Sequence, residues 1–279
     1  MTAYYNEIDP FAAAWLRELI KARHIAPGEV DTRSIEDVVP NELIGFTQCH
    51  FFAGIGGWSL ALRQAGWPDD RPVWTGSCPC QPFSAAGKGA GFADERHLWP
   101  AFFHLIKECR PVSVFGEQVA SKDTNPWFDL VQADLESMGY AFGCVPFAAA
   151  GVGAPHPRER AYWVADSDHS QKKRQQQYSG QGLSVEKPEG LAGGSCHDWM
   201  DDSKTSIRRR ARREDEQWRE ADWLFCRDGK WRPVEPGTFP LASGVSNRVG
   251  RLRGYGNSIV VPQAEEFIRA YMKQPGSAL

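Results

Sequence analysis

Apolar positions in this chain fall into short runs, most of them followed by a stretch with helical spacing. Tyr4-Tyr5-Asn6-Glu7-Ile8-Asp9-Pro10-Phe11 reads as a strand, a turn and then a helix through Ile20 to His24, with Asp9 as its cap and Pro10 at the first helical position. Phe46 to Phe52 is a second β-like run, closed by a glycine-rich turn and followed by an amphipathic helix from Trp58 to Ala65. A short strand at Pro72 to Thr75, a helix near Phe102 to Cys109, an apolar run at Pro111 to Phe115 and a last helix from Gln263 to Met272 continue the alternation. Such alternation predicts an α/β architecture. The pattern stops after Trp163-Val164-Ala165. From Asp166 to about Arg248 the chain is polar, rich in Gln, Ser, Gly and charge, and Gln171 to Gln181 reads as an exposed loop.

At 279 residues the chain can hold one large α/β domain and a small second region. A net charge of -3 argues against a generally basic coat, so any nucleic-acid contact must come from local patches. No apolar run approaches a membrane span and the N-terminus lacks a signal-peptide pattern, which predicts no membrane partner. Seven cysteines without a secretion signal point to free thiols in a reducing cytoplasm, or a host cell's cytoplasm for a virus-encoded chain. Cys78 and Cys80 resemble half a metal site, but no second Cys/His pair follows at ligand spacing, so no metal is expected.

Candidate chemistry concentrates in a few stretches. Pro79-Cys80-Gln81-Pro82-Phe83-Ser84 places a thiol between two prolines, on a loop that cannot become regular structure. Phe52-Ala53-Gly54-Ile55-Gly56-Gly57 is a strand-to-helix turn whose backbone amides can approach a ligand, with the dipole of the following helix behind them. Phe115-Gly116-Glu117-Gln118-Val119 ends an apolar run in an acid. Gly153-Ala154-Pro155-His156-Pro157-Arg158-Glu159-Arg160 spaces two arginines, Gly256-Asn257-Ser258-Ile259-Val260-Val261-Pro262 opens the last helix, and Asp94-Glu95-Arg96-His97-Leu98 precedes another.

In this order these stretches resemble the motifs of the DNA (cytosine-5) methyltransferase family, of the phage or orphan type, over most of residues 4 to 165 and 244 to 272. The resemblance implies a Rossmann-like methyltransferase sheet with a small target-recognition region, S-adenosylmethionine as cofactor, and double-stranded DNA as partner of a monomer, as in restriction-modification. It makes Cys80 the nucleophile that adds to C6 of a flipped-out cytosine, Glu117 a protonated carboxyl at N3, Arg160 the ligand of O2 and Arg158 its support. The glycine turn from Phe52 to Gly57 would hold the methionine part of the cofactor, and Asn257 and Ser258 would complete that pocket. Two positions depart from the pattern: Gln118 replaces Asn, and His156 replaces Gln.

A larger departure lies between Gly57 and Cys80. Family members normally carry two further strand-helix units there, supplying an acid for the ribose hydroxyls and an Asp for adenine. This gap holds one helix and one short strand. The units are expected instead in residues 1–40, with Glu7 and Ile8 on the ribose side. Gly28-Glu29-Val30-Asp31-Thr32-Arg33-Ser34-Ile35 then supplies the adenine contact, Asp31 in preference to Glu29. Such a permutation creates a topological difficulty. A right-handed crossover from the strand before the glycine turn to the strand before Cys80 puts its helix on the opposite face of the sheet; otherwise one connection is unusual.

Residues 1–165 with 244–279 then form the catalytic domain, and 166–243 the target-recognition region, whose small size suits a short recognised site. Its basic run, Arg208, Arg209, Arg210, Arg212 and Arg213, is suited to phosphates or guanine edges, with Gln81, Ser84 and Lys88 as further DNA contacts beside the nucleophile. Asp198-Trp199 and Trp223-Leu224-Phe225 read as its small core. Alternatives are methylation of tRNA, a catalytically silent DNA-binding protein on the same fold, and a modified sulfonium donor.

Overall fold

The structure, a computed structural model, describes residues 2–79, 98–121, 124–154, 158–167, 222–225, 231–234 and 258–273. Nine strands and five α-helices lie within them: β1 (Ala3–Asn6), α1 (Pro10–Lys21), β2 (Gly28–Asp31), β3 (Gln48–Phe51), α2 (Gly57–Ala65), β4 (Val73–Gly76), α3 (Trp99–Cys109), β5 (Ser113–Val119), α4 (Asn125–Ser137), β6 (Tyr140–Ala148), β7 (Glu159–Ser167), β8 (Asp222–Phe225), β9 (Trp231–Val234) and α5 (Val261–Met272). Local chemistry sets the boundaries. Asp9 caps α1 by accepting from the N–H groups of Phe11 (2.8 Å) and Ala12 (3.1 Å), ahead of Pro10. Gly56 and Gly66, at φ 84° and 87°, bracket α2 in the left-handed conformation that glycine adopts freely.

Seven strands form one sheet in the order β2-β1-β3-β4-β5-β7-β6, parallel from β2 to β5, with β7 antiparallel to both neighbours. Every residue of β1, β3 and β4 is buried, as expected for parallel strands covered on both faces. Strand β5 runs past the predicted Phe115 through Glu117 to Val119, so the acid of that motif sits inside the ladder. Strands β8 and β9 pair as a separate antiparallel hairpin, with Trp223-Leu224-Phe225 on one of its strands.

Tyr4, Cys49, Phe51, Trp74, Val114 and Trp163 face one side of the sheet, against α3, α4 and the 3-10 turns at Ile35–Asp37 and Pro40–Leu43. Tyr5, Val73, Phe115 and Tyr162 face the other, with α1, α2 and α5. The unit β1–α1–β2 steps outward toward the edge with α1 on this second face. The unit β4–α3–β5 steps the opposite way with its helix on the opposite face, and the link from β2 over β1 to β3 does the same through Ile35, Val38 and Leu43. These three connections share one hand. Unit β3–α2–β4 steps with β4–α3–β5 yet keeps its helix on the other face, so its hand is opposite. Because parallel crossovers are right-handed in nearly all proteins, β3–α2–β4 is the left-handed exception.

Packing explains why the helix did not change sides. Leu60 of α2 joins the cluster built by Leu16, Ile25 and Tyr5, while Trp58 stacks on Phe115 and meets Tyr162 edge-on. A Cβ on Gly57 would stand 2.8 Å from Ile259, which leads into α5. Helix α2 is thus wedged between α1 and α5 on one face. The unusual connection resolves the topological difficulty: the helix stayed and the hand gave way.

Candidate active site

Strands β1, β3, β4 and β5 end on one side of the sheet, where a cleft of about 380 Å³ opens. Ligands bind at this carboxyl end in open α/β sheets. On one flank the glycine turn leaves β3 with Phe52, Gly54 and Gly56 at φ 52°, 56° and 84°. Phe52, Ala53, Gly54, Ile55 and Gly57 line the cleft, and Gly56 lies behind them against Leu16 and Ile25.

Glu7 closes onto this turn. Its Oε2 accepts from the Gly54 N–H at 2.6 Å and its Oε1 from the Asp9 N–H at 2.8 Å. Burial pushes its carboxyl upward in pKa, and the two backbone donors oppose that. A carboxylate offers about four acceptor sites, so two remain for a ligand. Ile8 is 65% exposed at the rim of the same cleft.

Asp31 stands elsewhere. Its carboxylate accepts from the Tyr4 hydroxyl at 2.7 Å and pairs with Arg33 at 2.7 Å, which holds it below the ordinary carboxylate range against the effect of burial. It is not among the residues that line the cleft. Arg33, Ser34 and Ile35 line it instead, with the Asn6 side chain donating to the Arg33 carbonyl at 2.9 Å. Glu29, the other acid considered, is exposed. The adenine assignment to Asp31 is therefore corrected: its lone pairs are already engaged by Tyr4 and Arg33.

On the opposite flank Glu117 is 9% exposed, and its Oε1 lies 2.6 Å from Nε of Arg160. Register produces the pair: β5 and β7 run antiparallel with Val119 opposite Arg160, two residues from Glu117 on the same face. Burial raises the Glu117 pKa, while Arg160, Arg158 and a hydrogen bond from Ser77 pull it back. Arg158, at φ 27°, donates to the Ser258 carbonyl at 2.8 Å and ties the arginine segment to the start of α5. Gln118 donates to the Cys78 carbonyl at 3.1 Å, two residues before Cys80, and its Oε1 accepts from Val119 N–H at 3.0 Å.

Cys80, Gln81, Ser84, Lys88, Asn257, Arg208, Arg209, Arg210, Arg212 and Arg213 lie outside the described residues, as do His156, Asp198 and Trp199. Of the remaining sequence-based candidates the cleft gathers Glu7, Ile8, the glycine turn, Glu117, Arg158, Arg160 and Ser258. It also gathers Ser77 and Trp58, which no motif assignment covered. Ser77 lies within the stretch that leads to the cysteine loop, and Trp58 is the residue just after the glycines. Among the described residues no cluster of His, Cys, Asp and Glu could hold a metal ion, and no helix is long and apolar enough to cross a membrane.

The family model for C-5 cytosine-specific DNA methylases matches residues 67–222, more than half of the chain. The chain belongs to this family. The Type II methyltransferase M.HhaI of Haemophilus parahaemolyticus is 27% identical over 46% of this chain and 51% of its own length. Two others are M1.ScrFI of Lactococcus lactis subsp. cremoris, 31% identical over 58% of this chain and 42% of that protein, and M.SsoII of Shigella sonnei, 34% identical over 48% and 37%. This methylase chain thus spans about half or less of the length of the curated relatives it matches. The family match begins at Trp67, so the N-terminal strands and the glycine turn of this C-5 cytosine methylase lie ahead of it.

Proposed function

We propose that the protein transfers a methyl group from S-adenosylmethionine to C5 of a flipped-out cytosine in double-stranded DNA, through a covalent bond between Cys80 and C6. The observation that carries this reading is the Glu117–Arg160 pair at 2.6 Å, in one cleft with the stem of the cysteine loop and the glycine turn. We also infer that β1–α1–β2 are the family's second and third strand units displaced ahead of the first. Supporting this are the place of β1 directly beside β3, the contact of Glu7 with the glycine turn, and the start of the family match at Trp67.

The residues present fit the cofactor. Gly54 and Gly57 leave room for close approach, Glu7 keeps two acceptor sites for ribose hydroxyls, and Ile8 offers an apolar surface beside it. When bound, S-adenosylmethionine supplies an electrophilic methyl on a sulfonium. The protein must make C5 nucleophilic. Addition of the Cys80 thiolate to C6 forms the S–C6 bond and turns the C5–C6 double bond into an enamine. Glu117 gives its proton to N3 as charge develops there, and Arg160 binds O2 with Arg158 behind it. After transfer, loss of the C5 proton expels Cys80 and the N3 proton returns to Glu117. Since these atoms are stacked in duplex DNA, the base must leave the helix. Residues 166–243, with the arginines at 208–213, form the target-recognition region in this proposal, and Gln81, Ser84 and Lys88 contact DNA beside the nucleophile.

The test is incorporation of labelled methyl into unmethylated duplex DNA, with bisulfite sequencing to locate it. The wild type should methylate, and Cys80→Ala should lose transfer while keeping cofactor affinity. Methylation by the alanine variant, or transfer confined to tRNA, would overturn the proposal.

A further inference from the structure

We infer that Ser77, oriented by Trp58, is a positioning residue that sets when Glu117 holds and releases its proton; this rests on the reading of Glu117 as the acid at N3. The Trp58 indole N–H lies 3.0 Å from Ser77 Oγ, and Ser77 Oγ in turn hydrogen-bonds the Glu117 carboxyl. An indole nitrogen only donates, whereas a hydroxyl carries one proton and accepts through its lone pairs. Trp58 therefore fixes the polarity of the chain: Ser77 accepts from the indole, and its single proton is directed to Glu117. The indole cannot turn away, because Trp58 is 3% exposed and clamped between Phe115 and Tyr162.

A fixed donor to Glu117 has a defined chemical effect. It stabilises the carboxylate and not the acid, so it favours the moment when the proton passes to N3 and negative charge stays on the side chain. The charged and titratable groups that face Glu117 among the described residues are Arg158, Arg160 and Tyr162, all from the segment of β7. In the proposed reaction Arg160 also binds the base and Arg158 braces Ser258. Ser77, on the β4 side, is the neutral partner with no other duty toward the base.

The two claims separate experimentally. Glu117 is titrated directly, by its carboxyl infrared band in the difference between each protein and its Glu117→Gln counterpart. Methyl transfer to unmethylated plasmid DNA is followed against pH on the same proteins. Ser77→Ala should raise the Glu117 midpoint by roughly one pH unit, the size of one buried hydrogen bond. The alkaline limb of activity should move upward with it, turnover should fall about tenfold, and cofactor affinity should hold. Trp58→Phe should shift the midpoint the same way by less, and Ser77→Thr should restore it. An unchanged midpoint in Ser77→Ala and Trp58→Phe overturns the assignment. So does a shift that Thr does not rescue. If the titration behaves as expected and the wild type transfers no methyl, the proposed reaction falls and the Ser77–Glu117 coupling stands.

Discussion

Arg160 Nε lies 2.6 Å from Glu117 Oε1, across two antiparallel strands that both end at the cleft. The pair is mostly buried, with side-chain exposures of 19% and 11%, and its two members are opposed in effect. Burial favours the neutral acid and the guanidinium favours the carboxylate; burial is the larger influence, so the pKa is raised. Activity that needs protonated Glu117 should be present below this raised value and be lost as pH rises through it. Stability from this group follows the same sign, being full below the unfolded pKa and declining as pH rises toward the folded one. Glu117→Gln should lower methyl transfer by about 10²–10⁴-fold, the usual range for a general acid, and flatten the alkaline limb. A pH–rate series on wild type and variant checks both.

Gln118 links Glu117 to the loop that carries the nucleophile. Its amide donates to the Cys78 carbonyl at 3.1 Å within the buried strand end. Gln118→Leu should remove that tether without changing the glycine turn. Turnover should fall about tenfold, the cost of one buried hydrogen bond at a position that fixes orientation, with cofactor affinity unchanged. Single-turnover rates and calorimetric titration separate the two quantities, and equal losses in both would place Gln118 in general packing.

Glu7 tests the origin of the adenosine side. Glu7→Ala leaves the Gly54 and Asp9 N–H groups without their acceptor and removes the two free acceptor sites. Cofactor affinity should drop at least tenfold, with a loss of about 1–3 kcal/mol in stability from the unmet donors. Because burial raises the Glu7 pKa, wild-type affinity should decline as pH falls through that raised value, and the alanine variant should lack this dependence. Unchanged affinity at neutral pH would return Glu7 to the start of a helix.

Much of this was legible from residue order. Glycine turns, Asp9-Pro10 and the short apolar runs announce their elements locally, and α1, β3 and α2 lie within a few residues of their expected ends. Strand β7 was visible only as Trp163-Val164-Ala165, and α4 and β6 had no named signal, since their burial comes from packing across the sheet. Asp31 shows the limit at the site. Its position at the end of β2 suited adenine, but the choice between a ligand and Arg33 is made by side-chain reach, which no spacing encodes. The hand of β3–α2–β4 was equally out of reach, being decided by Leu60 and Gly57 against elements distant in sequence.

That left-handed unit gives the last prediction. Its hand follows from chain order, whereas the contacts that hold α2 against α1 and α5 do not depend on which strand comes next. Ala3, Gln48 and Val73 start their strands in one row of the sheet, so β1 begins only one strand from β3 and two from β4, about 5 and 10 Å away. Moving residues 2–46 to follow α2, with a short polar linker back to Pro72, makes β3–α2–β1 a right-handed crossover with α2 in place. The rearranged protein should fold with the same helix content, a Tm within a few degrees of the parent and unchanged cofactor affinity. Circular dichroism and calorimetry on the two chains decide it. A rearranged chain that fails to fold, beside a parent that does, would show that the left-handed connection itself is needed to place α2.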